Sequence, residues 1–89
     1  MRYFKRRWEE SRGDADDAWG PSWWYFEVDH DGYPLRQVEV YDRGPTKRYS
    51  LDEPEDADGR LGTVRLDDGE DWTVWRIGAD DFERVWADD

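Results

Sequence analysis

The chain of 89 residues holds 24 Asp and Glu, one His and no Cys, so any chemistry it performs must be built mainly from carboxylates. His30 is the natural general base or metal ligand, since imidazole titrates near neutrality. It lies in Asp29-His30-Asp31-Gly32, a turn sequence, and has no second His or Cys with which to hold zinc. A Ser-His-Asp triad would have to recruit Ser11, Ser22 or Ser50, the three serines available. His30 therefore reads as a solvated turn residue. Asp56-Ala57-Asp58-Gly59 suggests a calcium loop. Placing Gly59 at the sixth EF-hand position, however, puts Pro54 at the first and Arg65 at the twelfth, where carboxylates are required. A paired-carboxylate hydrolase needs two carboxyls at a set separation in a cleft, one with a raised pKa, and acidic loops read more simply as solvated surface. There is no phosphate-binding glycine loop or dinucleotide fingerprint. The expectation is a protein that is not an enzyme, with no catalytic, metal or cofactor residues.

The net charge is −11, and its distribution is uneven. Residues 1–12 carry +3, residues 13–34 −6, residues 35–49 +2 and residues 50–89 −10. Such a surface repels nucleic acid and anionic lipid and draws in a cationic partner, mainly by speeding encounter. Eleven Arg against two Lys, sixteen Asp against eight Glu, one Ile and no Asn equally fit the residue usage of a GC-rich or salt-adapted genome. Charge by itself leaves both readings open. The basic cluster Lys5, Arg6, Arg7 has aromatic neighbours that could stack bases, but the charge of the remainder opposes a polyanion. Behind the N-terminal basic residues there is no apolar run, so neither a signal peptide nor a membrane span is expected. A cytoplasmic location follows as the default, and the lack of Cys fits it.

The elements that position these groups follow from hydrophobic periodicity. At this length a single domain over residues 1–89 is expected, with a small core in which the 15 aromatic residues supply most of the buried area. Met1 to Trp8 reads as a first strand with Phe4 and Trp8 on one face and Tyr3, Lys5 and Arg7 on the other. Arg6 shares the apolar face, which suggests a sheet edge. Ser22 to Asp29 and Tyr33 to Asp42 read as a hairpin around a three-residue loop His30-Asp31-Gly32, with Gly32 supplying the left-handed conformation. That register places Trp24, Phe26 and Val28 on one face with Val38 and Val40. It leaves Trp23, Tyr25, Leu35 and Tyr41 on the other with Glu27, Gln37 and Glu39.

Beyond the turn Asp42-Arg43-Gly44-Pro45, a strand Thr46 to Leu51 brings Tyr49 and Leu51 to the core face. An acidic loop 52–62, a brief strand Thr63 to Leu66 and an alternating stretch Trp72 to Ile77 follow. Ala79 to Ala87 reads as a helix with a stripe of Phe82, Val85 and Trp86, Gly78 at its N-cap, and Asp80 and Asp81 at the positive end of its dipole. Trp19 in the preceding linker is placed to tuck back onto the sheet. The fold class is α+β, an antiparallel meander of four to five strands with one C-terminal helix packed on one face.

The stretch YFEVDHDGYPLRQVEVYDRGP, then YSLDEPED and the closing DDFERVW, resembles a family of small uncharacterised bacterial domains of unknown function. The likeness covers Tyr25 to Leu51 and Phe82 to Trp86. It implies the same fold and carries over no catalytic residue or ligand. Such small acidic domains look like proteins found beside bacterial toxins and defence genes, which implies an inhibitor. The candidate partner-binding residues are Asp52, Glu53, Glu55, Asp56 and Asp58, with Trp23, Tyr25 and Tyr41 as aromatic anchors of an exposed sheet face. The expected role is a non-enzymatic acidic protein of immunity or inhibitor type that neutralises a basic protein partner such as a nuclease toxin. The alternative is an accessory domain that forms a homodimer through the aromatic face. No cofactor, nucleic acid or membrane is implied in either case, although an enzyme or small-ligand binder using a Trp-lined pocket is a third reading.

Overall fold

The computed structural model describes residues 1–9, 17–66 and 69–87. Its core is one antiparallel sheet of five strands in the order β4-β3-β2-β1-β5, comprising β1 (Arg2–Trp8), β2 (Ser22–Val28), β3 (Pro34–Tyr41), β4 (Thr46–Ser50) and β5 (Arg76–Ile77). The first four strands pair in chain order as a meander, and the two-residue β5 adds beside β1. Helix α1 (Ala79–Ala87) follows directly. The α+β class, the meander and the C-terminal helix are as the periodicity indicates.

The hairpin tip forms as its residues require. The Asp29 carboxylate accepts from the backbone N–H groups of Asp31 and Tyr33 at 2.9 and 3.0 Å. Asp29 N–H donates to the Tyr33 carbonyl at 3.0 Å, closing a three-residue loop. Gly32 sits at φ +94°, a conformation that a Cβ disfavours. Val28 pairs with Pro34, but the next pair is Glu27 with Arg36. Leu35 is therefore an extra residue in β3, a β-bulge, and it inverts the parity of everything beyond it.

In consequence Trp23 and Tyr25 lie opposite Val40 and Val38, and Trp24 and Phe26 lie opposite Glu39 and Gln37. The expected grouping of Trp24, Phe26 and Val28 with the two valines is thus overturned. What the bulge gains is charge pairing. It sets Arg36 beside Glu27, whose two carboxylate oxygens accept from Nε and Nη2 at 2.8 Å each.

The helix accordingly docks on the other face from the one expected. Phe82 meets Tyr3 at 5.6 Å between ring centroids. The Arg36 guanidinium lies over the stacked rings of Phe82 and Trp86 at 4.9 and 5.0 Å and pairs with Glu83 as well. Arg48 donates to the last-turn carbonyls of Trp86 and Val85 at 2.8 and 3.2 Å, satisfying acceptors that every helix C-terminus leaves open. At the other end, Gly78 N–H donates to the Asp81 carboxylate at 3.2 Å, the half of a capping box that needs no N-cap side chain.

The opposite face carries the aromatic core. Phe4, Phe26, Val28 and Trp72 are buried together, with Trp24, Leu66 and Trp75 against them. Trp72 packs edge-on to Phe4 and Phe26 at 82° and 87°, the geometry that ring quadrupoles prefer. The chain that returns from β4 to α1 covers this face. Within it Thr63 to Leu66 forms no strand, and Trp72 to Ile77 is a 3₁₀ turn (Thr73–Trp75) followed by β5. Strand alternation fails there because Trp72 and Trp75, three apart, meet on one side of a 3₁₀ turn at 5.3 Å. Leu51 falls past the end of β4 and is 69% exposed, so only Tyr49 of that expected pair joins the interior.

Candidate functional site

The anticipated partner-binding residues fall on two separate surfaces. Trp23 and Tyr25 project from the helix side of β2, where α1 leaves part of the sheet open, and both are half-buried. Lys5 Nζ lies 4.4 Å from the Trp23 ring centroid and 5.6 Å from that of Tyr25. The Arg7 guanidinium lies 5.4 Å over Trp23 while holding Asp42 with two hydrogen bonds of 2.8 and 2.5 Å. That ion pair pushes the Arg7 pKa up and the Asp42 pKa down.

Tyr41, expected on the same face as Trp23 and Tyr25, is on the other one because of the bulge. It is 4% exposed. Trp19 packs on it at 5.0 Å, as the linker tryptophan was expected to do, and its hydroxyl donates to Glu39 at 2.5 Å. Tyr41 is therefore a core residue and no anchor. Gln37 and Glu39 are buried there too, with Gln37 Nε2 donating to Glu39 at 2.7 Å. In this polar network three alternating residues of β3 face inward bonded to one another, which offsets the penalty that burial places on unpaired polar groups.

The five carboxylates of the acidic loop also divide. Lys47 Nζ lies 2.8 Å from Asp56 and 2.9 Å from Asp58. Asp56 accepts in addition from the Tyr49 hydroxyl at 3.0 Å and from the N–H groups of Asp58 and Gly59 at 2.8 and 3.1 Å. The Lys47 ammonium, helped by these donors, lowers the Asp56 pKa to about 2. Burial, and then the hydrogen bond to Asp56, raises that of Tyr49. Asp56 and Asp58 thus fasten the loop to the sheet.

Asp52, Glu53 and Glu55 remain exposed and form no ion pair with the described residues. They are held outward by a tight backbone frame. Ser50 N–H donates to the Glu53 carbonyl at 3.1 Å, Asp56 N–H to the Gly59 carbonyl at 3.0 Å, and Leu61 N–H to the Pro54 carbonyl at 2.7 Å. Glu55 and Arg60 form an antiparallel bridge. Because Lys47 and Tyr49 point away from the helix side, this loop lies on the opposite side of the sheet from Trp23 and Tyr25.

No family model, curated protein or solved structure matches the chain. Its chemistry must be read from its own groups. Among the described residues no three His, Cys, Asp or Glu side chains cluster as metal ligands. His30 is exposed at the hairpin tip. Ser22 is buried at the far end of the same strand, its Oγ accepting from Trp24 Nε1 at 2.8 Å. At about 3.3 Å per residue the two are roughly 25 Å apart. Ser50 accepts from the Glu53 N–H at 3.2 Å, and Ser11 lies outside the described residues.

Sequence reasoning missed the cations that organise these surfaces. Arg6 does lie at a local edge, since β5 pairs only with Tyr3 and Phe4 and β1 has β2 alone as its paired strand at Arg6. Its guanidinium is caged by Trp75, Trp72 and Trp8 at 4.1, 4.8 and 5.6 Å and closed by Glu70 at 2.6 Å. A cation on an apolar strand face in a chain with seven Trp was the available sign of such a cage. For Lys47 the sign was its spacing two before Tyr49, which puts both on one face beside an acid-rich loop.

Proposed function

We propose that this protein is a non-enzymatic binding protein of immunity or inhibitor type. It docks a cationic protein, such as a nuclease toxin, on the carboxylates of Asp52, Glu53 and Glu55. The observation that carries the proposal is the division of the acidic loop. Two carboxylates fix it to the sheet through Lys47, and three are left exposed on an ordered backbone with no counter-cation among the described residues. Charges already held in place need little ordering on binding, and they accelerate encounter with a cation. Arg6, Arg7, Arg36 and Lys47 are meanwhile each engaged by carboxylates of the chain itself, which leaves the excess charge negative. The resemblance of Tyr25 to Leu51 and Phe82 to Trp86 to small acidic bacterial domains supports the same role. Among the described residues no helix is long and apolar enough to cross a membrane, and we place the encounter in the cytoplasm.

The test is a binding screen against purified basic nuclease toxins at about 0.02 and 0.3 M salt, where screening is weak and strong. A partner is expected whose association slows at the higher salt. Glu53→Lys with Glu55→Lys should abolish it. Asp31→Lys with Asp80→Lys makes the same change in net charge at two other exposed carboxylates and should leave it in place. Equal loss with both pairs of substitutions would show that only total charge matters, and the docking surface would be wrong. A second reading, self-association, is favoured by one observation: Trp23, Tyr25 and Val40 are half-buried on the part of the sheet that α1 leaves open.

A further inference from the structure

On the side of the sheet away from α1, the segment from Arg60 to Leu66 stands off from β2 and leaves a cleft of about 390 Å³. We propose that this cleft binds a small aromatic carboxylate, its ring on Trp24 and Phe26 and its carboxylate on Arg60. The volume lies in the range of about 300–1,000 Å³ usual for small-molecule sites. It is enough for one ring system, and the occupant proposed is a free small molecule.

The lining sets the chemistry. Trp24 and Phe26 form an aromatic surface, with ring centroids 6.1 Å apart and an angle of 31° between the planes. Leu61, Val64 and Leu66 supply an apolar wall. Neither floor nor wall asks for a polar ligand atom. Trp24 Nε1 already donates to Ser22 Oγ at 2.8 Å. Gln37 is engaged at both ends, its Oε1 accepting from Gly62 N–H at 3.1 Å and its Nε2 donating to Glu39 and to the Arg60 carbonyl at 2.7 and 3.3 Å. Those bonds tie the segment to the sheet, so the cleft exists before any ligand arrives, which lowers the ordering cost of binding.

Polar recognition then falls to the rim. Arg60 is exposed there and forms no ion pair with the described residues, in contrast to Arg6, Arg7, Arg36 and Lys47. The Arg60 guanidinium at this rim disfavours a cationic ligand even over aromatic rings. An anion with a flat apolar body fits both halves, since a guanidinium receives a planar carboxylate on two parallel N–H groups.

The experiment is a titration of the full chain with 1-naphthoate, followed by ¹H–¹⁵N correlation spectra, with 1-naphthylmethylamine in parallel. Naphthoate should shift the Trp24 indole N–H and the Gly62 amide saturably, and the amine should not. Arg60→Gln should weaken naphthoate binding by about tenfold, the scale of a charge-assisted hydrogen bond. Val64→Glu, at a position 70% exposed, should abolish it by placing a carboxylate beside the ligand. Shifts that avoid Trp24 and Gly62, equal binding of the amine, or unaltered binding in Arg60→Gln would each overturn the proposal. The cleft and the 52–55 loop share no side chain, but Glu55 and Arg60 pair across a bridge, so the titration is read on a chain whose residues 52–55 are unchanged, apart from the partner screen.

Discussion

Replacing Arg36 by Met tests how the helix is held. The side chain is 22% exposed and its partner Glu27 only 12%. The substitution removes a two-point ion pair and leaves a largely buried carboxylate without its cation. Stranding one member of a fully buried pair costs about 3–5 kcal/mol, and the residual solvent access here places the loss nearer the lower bound. Two cation–aromatic contacts with Phe82 and Trp86 go as well, each about 0.5–1 kcal/mol where partly exposed. Met restores some of the packing of the aliphatic stem. The expected net loss is about 3 kcal/mol, which for a domain of this size lowers Tm by roughly 12–24 °C.

Thermal unfolding followed by circular dichroism measures it, and a second variant separates the causes. Most of the loss comes from the stranded Glu27, so Glu27→Leu combined with Arg36→Met should melt above Arg36→Met alone. pH gives a third check. Arg36 holds the Glu27 pKa below its ordinary value. The stability this contributes is present above the unfolded-state pKa and is lost as pH falls through the lower folded one. The gap between wild type and Arg36→Met should therefore narrow in acid. An Arg36→Met protein that melts within about 4 °C of wild type, a change under 1 kcal/mol, would refute the clamp, as would a double variant no better than the single.

Two further outcomes follow from the other clusters. Asp56, with its pKa lowered to about 2, contributes stability above its unfolded value that disappears as pH falls toward 2; Lys47→Met should flatten that acid limb in urea unfolding measured between pH 2 and 5. If the chain self-associates through the open aromatic face, sedimentation will show a dimer that Trp23→Ala with Tyr25→Ala dissolves, and a monomeric wild type at high micromolar concentration excludes that mode.

The local elements were legible because their causes are local. Asp29 and Gly32 close the hairpin tip with their own carboxylate and backbone, and α1 begins after Gly78 and spans the residues its apolar stripe marks. The assignment of faces was not legible, since parity is a property of the whole ladder and the single residue Leu35 reverses it. Alternation in β3 was ambiguous for the same reason: Val38 and Val40 mark one face, while Gln37, Glu39 and Tyr41 mark the other and become core only by bonding one another. Charge located the acidic loop but could not say which carboxylates have partners. That depended on Lys47 reaching across from β4, a contact set by the path of the chain after Asp52 and not by composition.

The most direct measurement is a residue-resolved NMR titration of the side-chain carboxylates with hexa-arginine at low salt. If Asp52, Glu53 and Glu55 form the docking surface, their resonances shift first and together, those of Asp56 and Asp58 stay in place while Lys47 holds them, and Glu53→Lys with Glu55→Lys erases the response. Shifts of equal size at Asp31, Glu70 and Asp80, or a first site away from residues 52–55, would contradict it.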